Sequence, residues 1–198
     1  MSKSESKQDT KQALIEIGTK LIFRQGYNAT GLNEILESAN IPKGSFYYYF
    51  SSKEDFGLQA LDAFIERNRK RLATFLSDES ADPLTRLHHY FDWYAGYLES
   101  MGCSQGCLLG NLGQELSDQS EVFRQKIDEA MRLLPPALAS CLKAAQEQGQ
   151  IAPSLDVEAV AEFIYNGWQG TLLRMKVMKS MEPVRTFQKM LFEVILKP

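Results

Sequence analysis

The sequence predicts an all-α protein, and three observations support that class. Apolar residues recur every three or four positions along most of the 198-residue chain, whereas strand-like alternation is almost absent. Proline, glycine and capping residues divide the pattern into segments of helical length. The composition, 44% hydrophobic and 24% charged, is typical of a globular protein. No apolar run approaches the roughly 18–20 residues of a membrane-spanning helix.

Three short helices are predicted at the start of the chain. The first covers residues 10–25 and ends at Gly26, a helix-stop residue. The second covers residues 32–39 and is broken before Pro42, because the residue preceding a proline is disfavoured in the helical conformation. The third begins at residue 42 or 43 and runs to Phe50.

Longer helices follow. Ser51 and Glu54 have the spacing of a capping box, which predicts a fourth helix starting near residue 52. Pro135 and Pro136 should kink or split another helix, because proline lacks the amide donor. The remaining predicted helices cover residues 84–101, 107–116 and 120–148, one that Asp156 caps, and a last one with Pro183 in its first turn.

Charge and cysteine content suggest an intracellular protein without a bulk attraction for nucleic acid. The formal net charge is −3, but residues 1–75 hold 11 basic against 9 acidic side chains, and the rest of the chain is acidic. The polar start of mixed charge is unlike a signal peptide, which predicts a cytoplasmic location. Cys103, Cys107 and Cys141 are most simply free thiols in such a reducing compartment.

The segment from Lys43 to Phe50 has the features of a helix that reads DNA. Lys43, Gly44 and Ser45 combine a cation with two small residues, which suits close approach to base edges in a major groove. Phe46 and Phe50, spaced i and i+4, can pack inward. The three tyrosines between them cannot all be buried on one face, because consecutive helical residues point about 100° apart. The alternative is that they only extend a helical core.

The run from Gly31 to Glu54, which contains Ala39-Asn40-Ile41-Pro42-Lys43-Gly44-Ser45-Phe46-Tyr47-Tyr48-Tyr49-Phe50, resembles the signature of the tetracycline-repressor (TetR) family. The resemblance implies a dimeric bacterial transcriptional regulator, with a helix-turn-helix DNA-binding domain at residues 1–55 and a helical effector-binding and dimerisation domain at residues 56–198. Two positions depart from the pattern. Gly31 stands where threonine is frequent, and Asn40 stands where glycine is usual, although asparagine tolerates the left-handed conformation.

Carried over by position, the resemblance implies eight DNA-contacting residues. Four would face bases: Asn33, Lys43, Gly44 and Ser45. Four would face the phosphate backbone: Tyr47, Tyr48, Tyr49 and Lys53. The partner is a double-stranded DNA operator, and binding should weaken with salt because counterions are released.

The last two helices are candidates for a homodimer contact. Their apolar stripes are wide, and Gly167, Gly170, Ala159 and Thr171 would let helices approach closely. Two helices from each subunit would form a four-helix bundle. The alternative is that both stripes serve only the core of a single chain.

Aromatic residues are concentrated in the second predicted domain and suggest a small-molecule effector site, although such stripes more often belong to a core. The candidates for effector contacts are Trp93, Tyr94, Tyr97, Cys107, Asn111, Tyr165, Trp168 and Gln169. Other polar residues at helical intervals that could face the pocket are Gln114, Glu115, Asn166 and Arg174.

Cys107 has two interpretations. Near a helix N-terminus its thiol pKa would be lowered, which favours a reactive thiolate and a sensor of electrophiles, a role found in a subset of the family that the Gly106-Cys107-Leu108 segment resembles. The alternative is a buried, inert thiol. No metal-ligand set accompanies the cysteines, and no cofactor is expected.

These patterns together predict a ligand-responsive regulator, and a repressor rather than an activator, that binds a palindromic operator as a dimer and is released by a small-molecule effector of unknown identity. An enzyme is disfavoured, because no nucleophile–base pair, paired carboxylates or metal site stands out. A protein-interaction module that uses the tyrosine cluster is the other alternative. No membrane contact is expected.

Overall fold

The computed structural model describes residues 3–197 and confirms the predicted all-α class. In that range ten α-helices and one π-helical segment are the regular elements. The α-helices are α1 (Lys3–Gln25), α2 (Leu32–Ser38), α3 (Phe46–Tyr49), α4 (Lys53–Leu76), α5 (Pro83–Ser100), α6 (Leu108–Leu116), α7 (Glu121–Met131), α8 (Leu134–Glu147), α9 (Val157–Met178) and α10 (Glu182–Met190). The π-helical segment, Leu191–Ile195, follows α10 directly.

The chain forms two compact units, each built from two separate stretches of sequence. The first unit contains the residues up to Arg67 together with Asn111–Gln125. The second contains Asn68–Gly110 and the residues from Lys126 onward. The helices α4 and α6 each begin in one unit and end in the other.

In the first unit, a carboxylate from α6 holds the turn between α1 and α2. Glu115 Oε2 accepts a hydrogen bond from the backbone N–H of Tyr27 at 2.8 Å, and its Oε1 accepts one from Asn28 at 2.6 Å. The Tyr27 ring packs edge-on against Phe123 of α7, with ring centroids 5.2 Å apart. Residues far apart in sequence thus fix the chain just before α2.

The second unit has an aromatic and aliphatic core formed by α5, α8, α9 and α10. Phe91, Leu142 and Trp168 are each almost completely buried. The rings of Phe91 and Trp168 lie 5.2 Å apart, and each also contacts Phe187 of α10. Burial of such large rings is a main source of stability for a domain of this size.

Three of the predicted helix boundaries are confirmed. Asp156 caps α9, with Oδ1 accepting a hydrogen bond from the Ala159 N–H at 3.1 Å, and Pro183 lies in the first turn of α10. The predicted helix over residues 120–148 is split before Leu134, and its two prolines fall in the first turn of α8. Proline is tolerated there because the amides of a first turn lack intrahelical partners.

Two other predictions about boundaries are wrong. The third helix does not include Lys43 and Gly44, because Gly44 has φ +92°, a left-handed conformation that ends helical geometry. The cap of α4 is shifted by one residue from the predicted Ser51–Glu54 pair. Ser52 Oγ accepts a hydrogen bond from the Asp55 N–H at 3.0 Å, and the Asp55 carboxylate accepts from the Ser51 N–H at 2.8 Å.

Replacement of Glu115 by glutamine should destabilise the protein. A neutral amide loses the charge that strengthens both hydrogen bonds, and only its carbonyl oxygen can accept from a backbone N–H. We expect the free energy of unfolding to fall by about 2 kcal/mol and the Tm by about 4–8 °C, measured by circular dichroism. The control is Glu129→Gln, which removes the same charge from an exposed position on α7. Equal Tm values for the two variants would contradict this role of Glu115.

Candidate nucleic-acid interface and effector cluster

The short helix α3 is held from inside by three phenylalanines. Phe46, Phe50 and Phe56 are each at most 2% exposed, and their rings lie 5.1–5.8 Å apart in pairs. The predicted inward packing of Phe46 and Phe50 is confirmed. Because these two residues occupy the inner face, Tyr47 and Tyr48 point outward, with 69% and 63% of their surfaces exposed.

The eight predicted DNA-contacting residues all belong to the first unit, but they differ in exposure. Asn33, Lys43 and Gly44 are exposed, together with the two outer tyrosines. Ser45, Tyr49 and Lys53 are half-buried. The ring of Tyr49 packs edge-on against that of Tyr48, with ring centroids 5.0 Å apart.

The connection between α2 and α3 is a tight turn. Asn40 adopts φ 55°, so the predicted tolerance of asparagine for the left-handed conformation is confirmed. The Ile41 N–H donates to the Leu36 carbonyl at 2.9 Å, and the Ser45 N–H donates to the Pro42 carbonyl at 3.1 Å. This succession of a short helix, a turn and an exposed short helix is a helix-turn-helix motif.

Lys53 is engaged within the first unit. Its Nζ donates a hydrogen bond to the Asn28 carbonyl at 3.1 Å and lies 4.8 Å from the centre of the Tyr27 ring. Partial burial lowers the pKa of Lys53. Its ammonium group therefore helps to fix the turn before α2.

The sequence analysis missed an acidic neighbour of Lys43. Glu37, in the last turn of α2, forms an ion pair with Lys43 at 2.7 Å, and this hydrogen-bonded contact raises the pKa of the lysine. Both side chains are more than half exposed. Helical spacing could not reveal the pair, because the Asn40 turn lies between the two residues.

Two lysines of α1 were also missed. Lys7 Nζ lies 3.9 Å from the centre of the Tyr48 ring, and Lys11 Nζ lies 5.3 Å from that of Phe50. They are spaced i and i+4 and therefore share one face of α1. This spacing was the feature of the sequence from which the two lysines could have been found. Lys7 adds an exposed cation beside the outward-facing tyrosines.

In the second unit, aromatic side chains of α5 form a continuous cluster with α9. The Trp93 and Tyr97 rings are stacked 5.6 Å apart and nearly parallel, and the Arg71 guanidinium lies 4.0 Å from the centre of the Trp93 ring. The Tyr94 ring meets Trp168 edge-on at 5.4 Å. Trp168 is part of the buried core, whereas Trp93 is 36% exposed.

Cys107, Tyr165 and Gln169 form the polar part of this cluster. A Cβ placed on Gly110 would lie 3.2 Å from Gln169 Oε1 and 3.7 Å from Cys107 Cβ, so these groups converge at the start of α6. Tyr165 is 8% exposed, and no group in the described part of the chain accepts a hydrogen bond from its hydroxyl. Burial raises the pKa of the Tyr165 phenol, and the Gln169 side chain acts in the opposite direction as a hydrogen-bond donor to the phenol oxygen.

Of the two interpretations of Cys107, the reactive thiolate is not supported. Burial raises the pKa of this thiol and outweighs the hydrogen bonds from the Gly110 N–H, the Gln169 side chain and the Leu109 N–H, which act in the opposite direction. The geometry at Cys107 therefore favours the alternative of a protonated thiol.

The remaining polar candidates are dispersed. Asn111 belongs to the first unit, and Gln114 is exposed. Glu115 binds the backbone of the turn before α2, so it is not free to orient an effector. Asn166 and Arg174 are exposed on α9. Seven of the eight predicted effector residues lie together in the second unit.

Within residues 3–197, no group of three or more His, Cys, Asp or Glu side chains is placed to hold a metal ion. No helix of the same range is long and apolar enough to cross a membrane.

The architecture defines a helix-turn-helix DNA-binding protein with an additional helical domain, and comparisons with known proteins identify its family. Residues 14–60 match the family described as "Bacterial regulatory proteins, tetR family", and residues 83–191 match "Tetracyclin repressor-like, C-terminal domain". The chain therefore belongs to the TetR family and is a ligand-responsive DNA-binding transcriptional regulator, not an enzyme.

Individual relatives are similar in sequence or structure over most of this chain. The "HTH-type transcriptional repressor DhaR" of Mycobacterium sp. (strain GP1) is 36% identical over 186 residues, 94% of this chain and 92% of DhaR. The "HTH-type transcriptional repressor NemR" of Escherichia coli (strain K12) is 30% identical over 190 residues, 96% of each chain. The crystal structure of reduced E. coli NemR matches with a TM-score of 0.86 at 30% identity, covering 96% of this chain and 98% of NemR. The regulatory protein TetR from Rhodobacter sphaeroides matches with a TM-score of 0.85 at 34% identity, covering 90% and 94%.

Replacement of Glu37 by glutamine should strengthen DNA binding. The change removes a carboxylate that repels phosphate and releases Lys43 from its ion pair. We expect affinity for duplex DNA to rise about threefold to tenfold at low salt, measured by fluorescence anisotropy. Glu147→Gln, which removes the same charge from an exposed position on α8, should leave affinity unchanged. Weaker binding by Glu37→Gln would show that Glu37 instead supports the DNA-contacting surface.

Proposed function

We propose that this regulator is a homodimeric repressor that binds a palindromic operator and is released by a small-molecule effector. DNA contacts lie in residues 1–55, and effector and dimer contacts lie in residues 56–198. The observation that carries the proposal is the pair of exposed tyrosines, Tyr47 and Tyr48, on a helix anchored by buried phenylalanines. The names of the repressors DhaR and NemR support repression as the direction of control.

The chemistry of the exposed side chains suits a duplex. Tyrosine hydroxyls and a lysine ammonium donate hydrogen bonds to phosphate oxygens, which position the protein on DNA without reading sequence. Asn33, Gly44 and Ser45 leave room for base edges and supply polar groups that read them. Lys43 joins them once it leaves Glu37. Lys7 extends the phosphate contacts beyond the residues that the sequence predicted.

An uncovered apolar face on α9 and α10 supports the homodimer. Six large hydrophobic side chains are 43–74% exposed along these helices and the π-helical segment: Phe163, Leu173, Val177, Met178, Met190 and Val194. Two of them, Phe163 and Met190, line a groove of about 340 Å³ together with Gly170. A contiguous apolar surface of this kind is typical of a protein interface. A second copy related by a two-fold axis would cover it and form a four-helix bundle.

The glycines of α9 have different roles. A Cβ on Gly170 would meet nothing within 4 Å, so this position leaves space for a partner helix. A Cβ on Gly167 would lie 3.2 Å from the Phe187 ring, so this glycine serves packing between α9 and α10 of one chain. Thr171 is buried as well. Of the four small residues named for the dimer contact, Gly170 and the exposed Ala159 remain available.

Two-fold symmetry explains why the operator should be palindromic. Two α3 helices about one DNA turn apart, roughly 34–36 Å, read successive major grooves. An effector that binds the conformation with a different spacing shifts the population away from DNA, with a coupling of about 1–3 kcal/mol. The helix α4 is the proposed lever, since Phe56 near its start packs against α3 and Phe75 near its end contacts Tyr90 and Trp93.

The DNA-binding proposal is tested by measuring salt dependence. The wild-type protein should select a palindrome from random duplexes, and the logarithm of its affinity should fall linearly with the logarithm of salt concentration. Lys7→Gln should reduce this slope by about 2 per dimer, because each phosphate contact contributes about 0.9. Lys143→Gln, at an exposed position on α8, should not change it. Absence of sequence-selective binding would refute the operator proposal, and an unchanged slope would remove Lys7 from it.

The dimer is tested by placing charge on the apolar face. The double variant Leu173→Glu, Val177→Glu should be monomeric at about 10 μM in sedimentation velocity, because a dimer would bury four unpaired carboxylates. Val122→Glu, at a similarly exposed apolar residue of α7, should stay dimeric. A wild-type protein that is monomeric under the same conditions would contradict the proposal.

A further inference from the structure

The hydroxyl of Tyr165 lacks the hydrogen bond that a buried donor normally makes. Its oxygen is inaccessible, and no protein group of the described chain accepts from it. Buried polar groups are nearly always paired, because an unpaired one loses its hydration without compensation. Tyr165 faces other polar groups: burial, Cys107 and Tyr90 raise the pKa of its phenol, and the Gln169 side chain lowers it by donating toward the phenol oxygen. The proton of the hydroxyl is therefore the part that lacks an acceptor. An unpaired donor in a cluster of this kind indicates a ligand atom that accepts from it.

The charges around Tyr165 restrict the ligand. Cys107, Tyr90 and Tyr94 are neutral near pH 7, since burial raises their pKa values above the usual range. The charged group that acts on Tyr165 is the carboxylate of Glu162, which repels an anion. Arg71 contacts the Trp93 and Tyr97 rings and lowers the pKa values of Tyr90 and Tyr94, but it is not among the groups that act on Tyr165. An uncharged acceptor therefore suits Tyr165 better than a carboxylate.

The remaining walls are aromatic. Tyr94 and Trp168 meet edge-on at 5.4 Å, and Trp93 and Tyr97 present stacked rings that are partly open to solvent. Flat aromatic surfaces gain stacking and edge-to-face contacts with a planar ring. A mostly apolar site with a few oriented polar groups is typical of small-molecule binding.

We propose that Tyr165 is the anchoring donor of the effector site and that its hydroxyl donates to the carbonyl oxygen of an uncharged aryl carbonyl compound. The aromatic ring of the compound lies against Tyr94 and Trp168, and Gln169 supplies a second polar contact. Binding is non-covalent, so Cys107 is not consumed. The site rests on the proposed function only in being the place where an effector acts.

Tyr165→Phe tests the donor because it should raise the Tm of the free protein but weaken the binding of a ketone. Removal of an unpaired hydroxyl should raise the Tm of the free protein by about 2–6 °C. The matched control is Tyr97→Phe in the same cluster. The Tyr97 hydroxyl already donates to Gln105 Oε1 at 2.9 Å, so its removal should lower the Tm. A fall in Tm for Tyr165→Phe would show that its hydroxyl has a structural partner and would overturn the proposal.

The ligand class is tested with pairs of compounds that differ in the oxygen. Acetophenone and 4-phenyl-2-butanone are compared with ethylbenzene and butylbenzene, and benzoate serves as the charged probe. Trp93 and Trp168 are the two tryptophans of the chain, so their fluorescence reports on the site, with calorimetry as the second measurement. Each ketone should bind wild type at least about tenfold more tightly than its hydrocarbon. Tyr165→Phe should bring this ratio close to 1, while Tyr27→Phe, the same change in the first unit, retains it.

Three results would overturn the proposal: no binding of either ketone by wild type, tighter binding of benzoate than of acetophenone, or an unchanged ratio in Tyr165→Phe. Cys107→Ser should retain the ratio, and its loss together with a ketone adduct on Cys107 in mass spectra would replace the proposal by covalent capture. All these measurements omit DNA. A protein that passes them but binds no operator would refute the proposed function and leave the ligand site standing.

Discussion

Exposure of the proposed DNA-contacting surface depends on the packing of three phenylalanine rings. The helix α3 has four residues and one turn, too short to be stable by its own hydrogen bonds. Phe46, Phe50 and Phe56 bury the inner side of this turn against the start of α4. Because Phe46 and Phe50 occupy the inner face of this turn, Tyr47 and Tyr48 point outward. Apolar burial thus stabilises the conformation that suits DNA before DNA is present.

The same unit uses charge to fix the backbone beside that surface. Glu115 accepts two backbone hydrogen bonds at the turn before α2, and Lys53 donates to the carbonyl of the same turn. The sequence analysis assigned Glu115 to an effector and Lys53 to a phosphate. In the structure both side chains bind the backbone of the protein itself. Glu115 lies near the end of α6, whose first residues belong to the unit that carries the effector cluster. The helix α6 is therefore, besides α4, a second covalent connection between the two units.

The sequence was sufficient to predict the features that depend on local patterns. Helical periodicity identified the all-α class, the spacing of Phe46 and Phe50 predicted their burial, and Asp156 and Pro183 marked two helix starts. The predictions that were wrong or missing depend on tertiary contacts and backbone conformation. The left-handed Gly44 excludes Lys43 from α3, and the Ser52–Asp55 cap shifts the start of α4 by one residue. The Glu37–Lys43 pair and the Glu115 hydrogen bonds join residues across turns or long stretches of chain, where periodicity carries no information.

The effector cluster shows most clearly why spacing alone cannot assign chemistry. The position of Cys107 before a helix made a reactive thiolate one of its two interpretations, because aligned N–H groups stabilise negative charge. The same thiol lies among Tyr90, Tyr94 and Tyr165, where loss of hydration destabilises that charge more than the neighbouring hydrogen-bond donors stabilise it. Burial therefore favours the inert thiol and gives significance to Tyr165, which the sequence offered only as one effector candidate among eight. In an apolar site of this kind, the group most prepared to bind a ligand is the neutral donor without a partner, because it gains a hydrogen bond without having to lose one.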